Sequence, residues 1–224
     1  CTTDYISSNN GNLIAVNNQY ICYAIRGGMI RVINPTSFLR VLLRGHTQHV
    51  TDLAFFSNEI DLLASCGTDG KVYVWHIMES GDDDASATIE HTVTMVINHA
   101  AQRLIWHPTN QNIFAIADNN TTCIVDMTKS KVPAPDGSTV TIDQSDLKHI
   151  GAVCLGHTKQ VNDLQFSADG TQLATASSDG AVRIWDTSGD AVIGSAVSIL
   201  QAFHPHEMKP VSSVRFVGPD GCML

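Results

Sequence analysis

The chain has 224 residues, room for one large or two ordinary domains, and 43% of them are hydrophobic, ample material for a globular core. No apolar run approaches the roughly 18 residues of a membrane-spanning helix, and nothing near Cys1 resembles a signal peptide. The formal charge of -9 excludes a generally basic, nucleic-acid-binding surface, because neutralising phosphates needs clustered Lys and Arg. Six cysteines fall at 1, 22, 66, 123, 154 and 222 without a Cys-x-x-Cys pair, and Cys22, Cys66 and Cys123 lie inside predicted strands. There a thiol behaves as a small apolar group, so the pattern favours a reducing compartment over a disulfide framework.

In chain order, residues 1–10 form a polar lead-in. Short apolar strands follow at 13–16, 20–25 and 29–33, and 40–43 completes a first unit. Gly45-His46 introduces the second unit, which runs from Val50 through Leu63-Ala64-Ser65, an Asp69-Gly70 turn and the alternating Lys71–Trp75. Glu79–Asp84 is an acidic loop that lacks the spaced ligands and distal Glu of a calcium loop, and 92–97 is an outer strand. A third unit has strands at 103–106, 113–117 and 122–126; residues 127–148, with Pro133 and Pro135, read as a long loop before 153–155. Asn119–Thr122 contains two overlapping glycosylation sequons, unused in a cytosolic chain. The fourth unit starts after Gly156-His157 and runs from Val161 through Leu173-Ala174-Thr175, Asp179-Gly180 and Trp185, closed by Ala196–Leu200. A fifth begins with Val211 and Val214-Arg215-Phe216 as its first strand. His206 stands at the Gly-His position; with His204 it suggests a metal site, but no further ligand has suitable spacing.

The second and fourth units share one order: Gly-His, a valine four residues after the histidine, Leu-Ala-Ser or Leu-Ala-Thr, Asp-Gly, then Trp. His-to-Trp spacing is 29 in one and 28 in the other. This pattern resembles the WD40 repeat. In that family the His, the hydroxyl, the turn Asp and the Trp are hydrogen-bonded inside one blade. The resemblance therefore assigns His46, Ser65, Asp69 and Trp75 to one such set, and His157, Thr175, Asp179 and Trp185 to another. Asp, His and a hydroxyl also suggest a catalytic triad, yet two copies at blade spacing favour the structural role. The first unit, with Gly27-Gly28 opposite Asp69-Gly70 and Ile33 opposite Trp75, is a degenerate blade offset by 42 residues, and the third is degenerate as well. The expected fold is an all-β WD40 β-propeller, about four blades and a partial fifth of a seven-bladed ring. Its blades fall at 11–43, 50–97, 103–155, 161–203 and, starting, 211–224. Four blades and a stub do not close such a ring, so the chain reads as a fragment of a longer propeller.

Several stretches resemble more narrowly the enhancer of mRNA-decapping protein 4 family, VARICOSE in plants. These are Gly11–Val16, Tyr20–Arg26, Met29–Ile33, Leu42–Phe56, Leu104–Pro108, Leu173–Ser177 and Pro205-His206 before Pro210-Val211. The resemblance implies a non-catalytic, cofactor-free scaffold of mRNA decapping, cytoplasmic and in P-bodies. Its partners would be the decapping enzyme and decapping activators, with no membrane contact and direct RNA contact left open. Family members oligomerise and hold the decapping enzyme through a Ser-rich middle and a helical C-terminal region, neither of which is in this sequence. The alternative is another WD40 adaptor, such as a ubiquitin-ligase substrate receptor. Many of those end a blade in Trp-Asp-x-Arg, whereas here Trp185-Asp186-Thr187-Ser188 lacks the arginine and Trp75-His76 the aspartate. No phosphate loop, zinc spacing or nucleophile elbow marks an enzyme. A candidate partner-binding rim flanks the Gly-His positions: Arg44, Gln48, His49 and Asp52 in one repeat, Lys159, Gln160 and Asp163 in the other.

Overall fold

The computed structural model describes residues 11–79, 87–96, 100–129, 140–142, 151–154, 156–188, 197–217 and 222–223; side chains are described outside 87–96, 140–142, 151–153 and 222–223. The predicted lead-in at 1–10 and the loop at 80–86 lie outside the described residues. The chain divides into two compact units: Cys1–Ala101 with Val132–Ile142, and Gln102–Lys131 with Asp143–Leu224.

In the first unit, β1 (Ile14–Val16), β2 (Ile21–Ile25), β3 (Met29–Ile33) and β4 (Arg40–Leu43) form an antiparallel meander. β5 (Val50–Phe55), β6 (Leu62–Gly67), β7 (Lys71–Glu79) and β8 (Ala87–Val96) form the next. Ile21 pairs with Ile33 as Leu63 pairs with Trp75, so the sheets have one register with an apolar residue at the Trp position of the first. Their faces meet in a core that includes Cys22, Ile30, Val32, Leu53, Tyr73 and Trp75. Tyr73 and Trp75 face that core, and Val72 and Val74 are buried as well, so the alternation read in the sequence does not appear as alternating exposure.

In the second unit, β9 (Ala101–Trp106, its first residue in unit 1), β10 (Ile113–Asp118), β11 (Thr121–Asp126) and β13 (Gly151–Cys154) form one sheet. β14 (Val161–Phe166), β15 (Gln172–Ser177), β16 (Val182–Asp186) and β17 (Ile199–Phe203) form another. Leu164, Phe166, Leu173 and Trp185 pack against Ala115, Ala117 and Ile124 between them. The two marked repeats are irregular at the same places: after Val50 and Val161, and beside Trp75 and Trp185.

Three expectations are corrected. The segment 127–148 is not all loop: Met127–Lys129 is a 3-10 turn, and β12 (Val140–Ile142) lies parallel to β8, as a fifth strand of the second sheet. The outer strand of the fourth sheet is Ile199–Phe203 rather than 196–200, since its pairing with β16 sets Trp185 against Ile199. Among the described residues 211–217, the strand is confined to β18 (Phe216–Val217), which pairs with β19 (Cys222–Met223). The Val211 N–H bonds Ser177 O and the Val214 N–H bonds the Asp163 carboxylate, so those donors serve the preceding sheet instead of a ladder of their own. Cys22, Cys66 and Cys154 are buried and Cys123 half-buried, all as free thiols; burial pushes the Cys22 and Cys123 thiols up to about 12.

Candidate functional site

The Gly-His loops are each tied down by a buried polar chain. In the first, Trp75 Nε1–H donates to Ser65 Oγ at 2.9 Å, Ser65 Oγ meets His46 Nε2 at 2.9 Å, and His46 Nδ1 meets Asp69 Oδ1 at 3.0 Å. Indole only donates and carboxylate only accepts. The two ends of the chain are therefore fixed in direction, with the indole donating to Ser65 and His46 Nδ1–H donating to Asp69. Asp69 also accepts the Thr47 N–H at 2.8 Å and the Lys71 N–H at 3.2 Å. Burial opposes its charge, but the bonds from His46 and Thr47 outweigh that and lower its pKa. Gly45 is required here because a Cβ would meet the Trp75 ring at 2.9 Å.

The second chain repeats the first. Trp185 Nε1–H donates to Thr175 Oγ1 at 2.9 Å, Thr175 meets His157 Nε2 at 2.7 Å, and His157 Nδ1 meets Asp179 Oδ2 at 3.0 Å. Asp179 further accepts the Thr158 and Ala181 N–H groups at 3.0 and 2.9 Å. Where Tyr73 donates its hydroxyl to Gly45 O in the first repeat, Arg183 stands in the second, bonding Asp179 Oδ2 at 3.2 Å and lying against the His157 ring. Burial lowers the His157 pKa against the raising influence of Asp179, and Arg183 lowers it further. The hydroxyls that a catalytic reading would need are inaccessible: Ser65 and Thr175 are each 0% exposed and already bonded to the indole and the imidazole. No group of three or more His, Cys, Asp or Glu among the described residues could hold a metal.

On these anchored loops Arg44, Gln48, His49 and Lys159 are exposed and Gln160 is half-buried. Their backbones are fixed: His49 O accepts the Thr68 N–H at 2.8 Å, and Gln160 O accepts the Ser178 N–H at 2.9 Å. Asp52 and Asp163 do not belong to an exposed rim. Both sit on inner strands and are buried, at 0% and 3% exposure. Asp52 Oδ1 accepts the Asn12 N–H at 2.7 Å, which ties β5 to the chain entering β1. Asp163 Oδ1 takes Arg103 Nη2 at 2.8 Å, while Oδ2 takes Ser213 Oγ at 2.8 Å, the Val214 N–H at 3.1 Å and Arg215 Nη1. Desolvation opposes this charge, but Arg103 and the donated hydrogen bonds prevail and lower its pKa. These two aspartates are clamps between neighbouring sheets. Sequence reasoning placed Arg103 only as a strand residue; the signal for its role was the carboxylate six residues after each Gly-His histidine.

A family model described as the WD40 region of Ge1, enhancer of mRNA-decapping protein, matches residues 4–220. Enhancer of mRNA-decapping protein 4 of Xenopus laevis is 33% identical over 222 residues, covering 92% of this chain and 16% of that protein. The Homo sapiens protein of the same name is 31% identical over 222 residues, with the same two shares. The chain thus spans about one sixth of the length of these relatives. Among solved structures, the Myceliophteria thermophila Cps50 (Swd1) beta-propeller domain superposes with a TM-score of 0.62 at 17% identity, covering 94% of this chain and 60% of that one. That likeness shows the fold, a β-propeller architecture whose blades are the four sheets described above.

Proposed function

The chain belongs to the family of Ge1 WD40 regions, and from that premise we propose that it is a non-catalytic docking scaffold of cytoplasmic mRNA decapping. The observation that carries this reading is the construction of the Gly-His loops. Each presents exposed polar side chains on a backbone held by a buried Trp–hydroxyl–His–Asp chain. Loops fixed on a rigid scaffold are where binding residues concentrate. The net charge of -9 suits protein partners better than RNA. In this reading the decapping enzyme and its activators assemble on the longer protein in P-bodies. The rate rises because weakly associating partners are held near one another, with no residue of this chain entering the chemistry.

The test is a pull-down from cytoplasmic extract with three proteins: the parent, Arg44→Ala with His49→Ala, and Lys159→Ala. Reduced recovery of decapping factors by either variant, with unchanged circular dichroism, is the expected result. Undiminished recovery by both folded variants would place the docking surface elsewhere.

A further inference from the structure

The second sheet carries a strand that the repeat does not supply. β12 comes from the segment between β11 and β13, yet it lies on the outer edge of β8, with Val140 opposite Val93, Thr141 opposite Thr94 and Ile142 opposite Met95. On its inner side β8 pairs with β7 along its length, from Ala87 opposite Glu79 to Val96 opposite Lys71. On the outer side, β12 covers three positions, and no described strand pairs with Ala87–Thr92. An edge of this kind presents a row of backbone N–H and C=O groups ready to pair with another extended segment. A meander delivers its strands antiparallel through short turns, whereas β12 arrives parallel, carried over from a distant part of the chain. That is the geometry of a peptide recognised by strand addition. The resident sequence, Val-Thr-Ile, shows the chemistry the edge takes: uncharged, β-branched and extended.

We propose that the outer edge of β8 is a docking site for an extended, β-branched segment of a partner protein bound parallel to it, and that β12 occupies this site in cis. A partner segment reaching back to Ala87 pairs at more positions than the three β12 uses. It therefore displaces β12, and β12 sets the affinity by competing for the edge. A site filled in cis nine times in ten weakens apparent binding about tenfold, and releasing the cis strand recovers it. This inference does not depend on the decapping role.

The probe is a fluorescein-labelled peptide with the sequence of residues 138–144, titrated by anisotropy against the 224-residue chain and its Thr141→Pro variant. Proline removes a donor and disfavours pairing, so β12 is released. A second variant, with residues 139–143 replaced by Gly and Ser, does the same without proline, and circular dichroism tracks folding of both. The expected result is binding to the folded variants about tenfold tighter than to the parent. Peptides N-methylated at alternate residues then report strand pairing: one alternation abolishes binding and the other leaves it. Binding to none of the proteins overturns the docking site, and equal binding to all overturns the cis occupancy. Loss with both methylation patterns, or with neither, overturns the strand geometry.

Discussion

Asp179 holds four donors at once: the Thr158 and Ala181 N–H groups, His157 Nδ1 and Arg183 Nη1. Asp179→Ala strands them in a largely buried site, and the expected cost is about 1–3 kcal/mol. A urea midpoint unchanged from the parent would remove Asp179 from the staple. The same residues set an acid limit. The folded pKa of His157 lies below its unfolded value, so its contribution is complete above about 6.5 and is lost as pH falls through the folded value. Asp69, Asp163 and Asp179 are also lowered, so their contributions are complete above about 3.9 and fade as pH falls through their folded values. Urea midpoints should therefore hold between pH 8 and 7, decline below about 6.5 and drop more steeply below about 4. A midpoint that rises on acidification contradicts the neutral imidazole. At this scale the two staples were legible because their residue types recur at fixed spacing. Asp52 and Asp163 recur just as regularly, but spacing establishes equivalence without saying which face of a strand a side chain takes.

Turns decide how the sheets meet. Gly28, at φ 74°, would bring a Cβ within 2.5 Å of His46 O, and Gly180, at φ 85°, would bring one within 2.5 Å of Met208 C. In each case the turn of one repeat presses on the loop at, or two residues beyond, the next repeat's histidine position. That contact supports the alignment of His206 with His46, although His206 is exposed and makes no staple. Gly27, at φ 79°, has its nearest neighbour at 3.8 Å. Gly28→Ala should therefore cost more than Gly27→Ala, for which the backbone penalty of about 1 kcal/mol is the main loss. Gly27→Asn should be nearly neutral, because Asn tolerates the left-handed region, as Asn119 does in the third sheet at φ 53°. Thermal melts of the three variants check the ranking; equal losses at Gly27 and Gly28 would contradict the close approach. Turn glycines are visible in a sequence, but β12 was not. Three residues carry no periodic signal, and their partner strand lies in another sheet's repeat.

Over the whole molecule the repeat order gave away the architecture, since two marked blades fix the frame into which the degenerate ones fit. Their degeneracy is itself physical. In the first and third sheets apolar pairs, Ile21 with Ile33 and Phe114 with Val125, stand where a staple blade sets Leu63 against Trp75. The buried thiols turn this difference into something that can be timed. Cys22 belongs to the first sheet, Cys66 to the second, and Cys123 and Cys154 to the third. An alkylating reagent reacts with thiolate, so a shielded thiol whose pKa is near 12 is consumed only when its sheet opens. With Cys1 and Cys222 changed to serine, each remaining cysteine acts as a stopwatch for one blade, read by mass spectrometry after a reagent pulse. Cys66, beside the Trp75 staple, should be labelled last, after Cys22 and Cys123. Labelling in the opposite order would mean that the staple positions a loop without holding its blade shut.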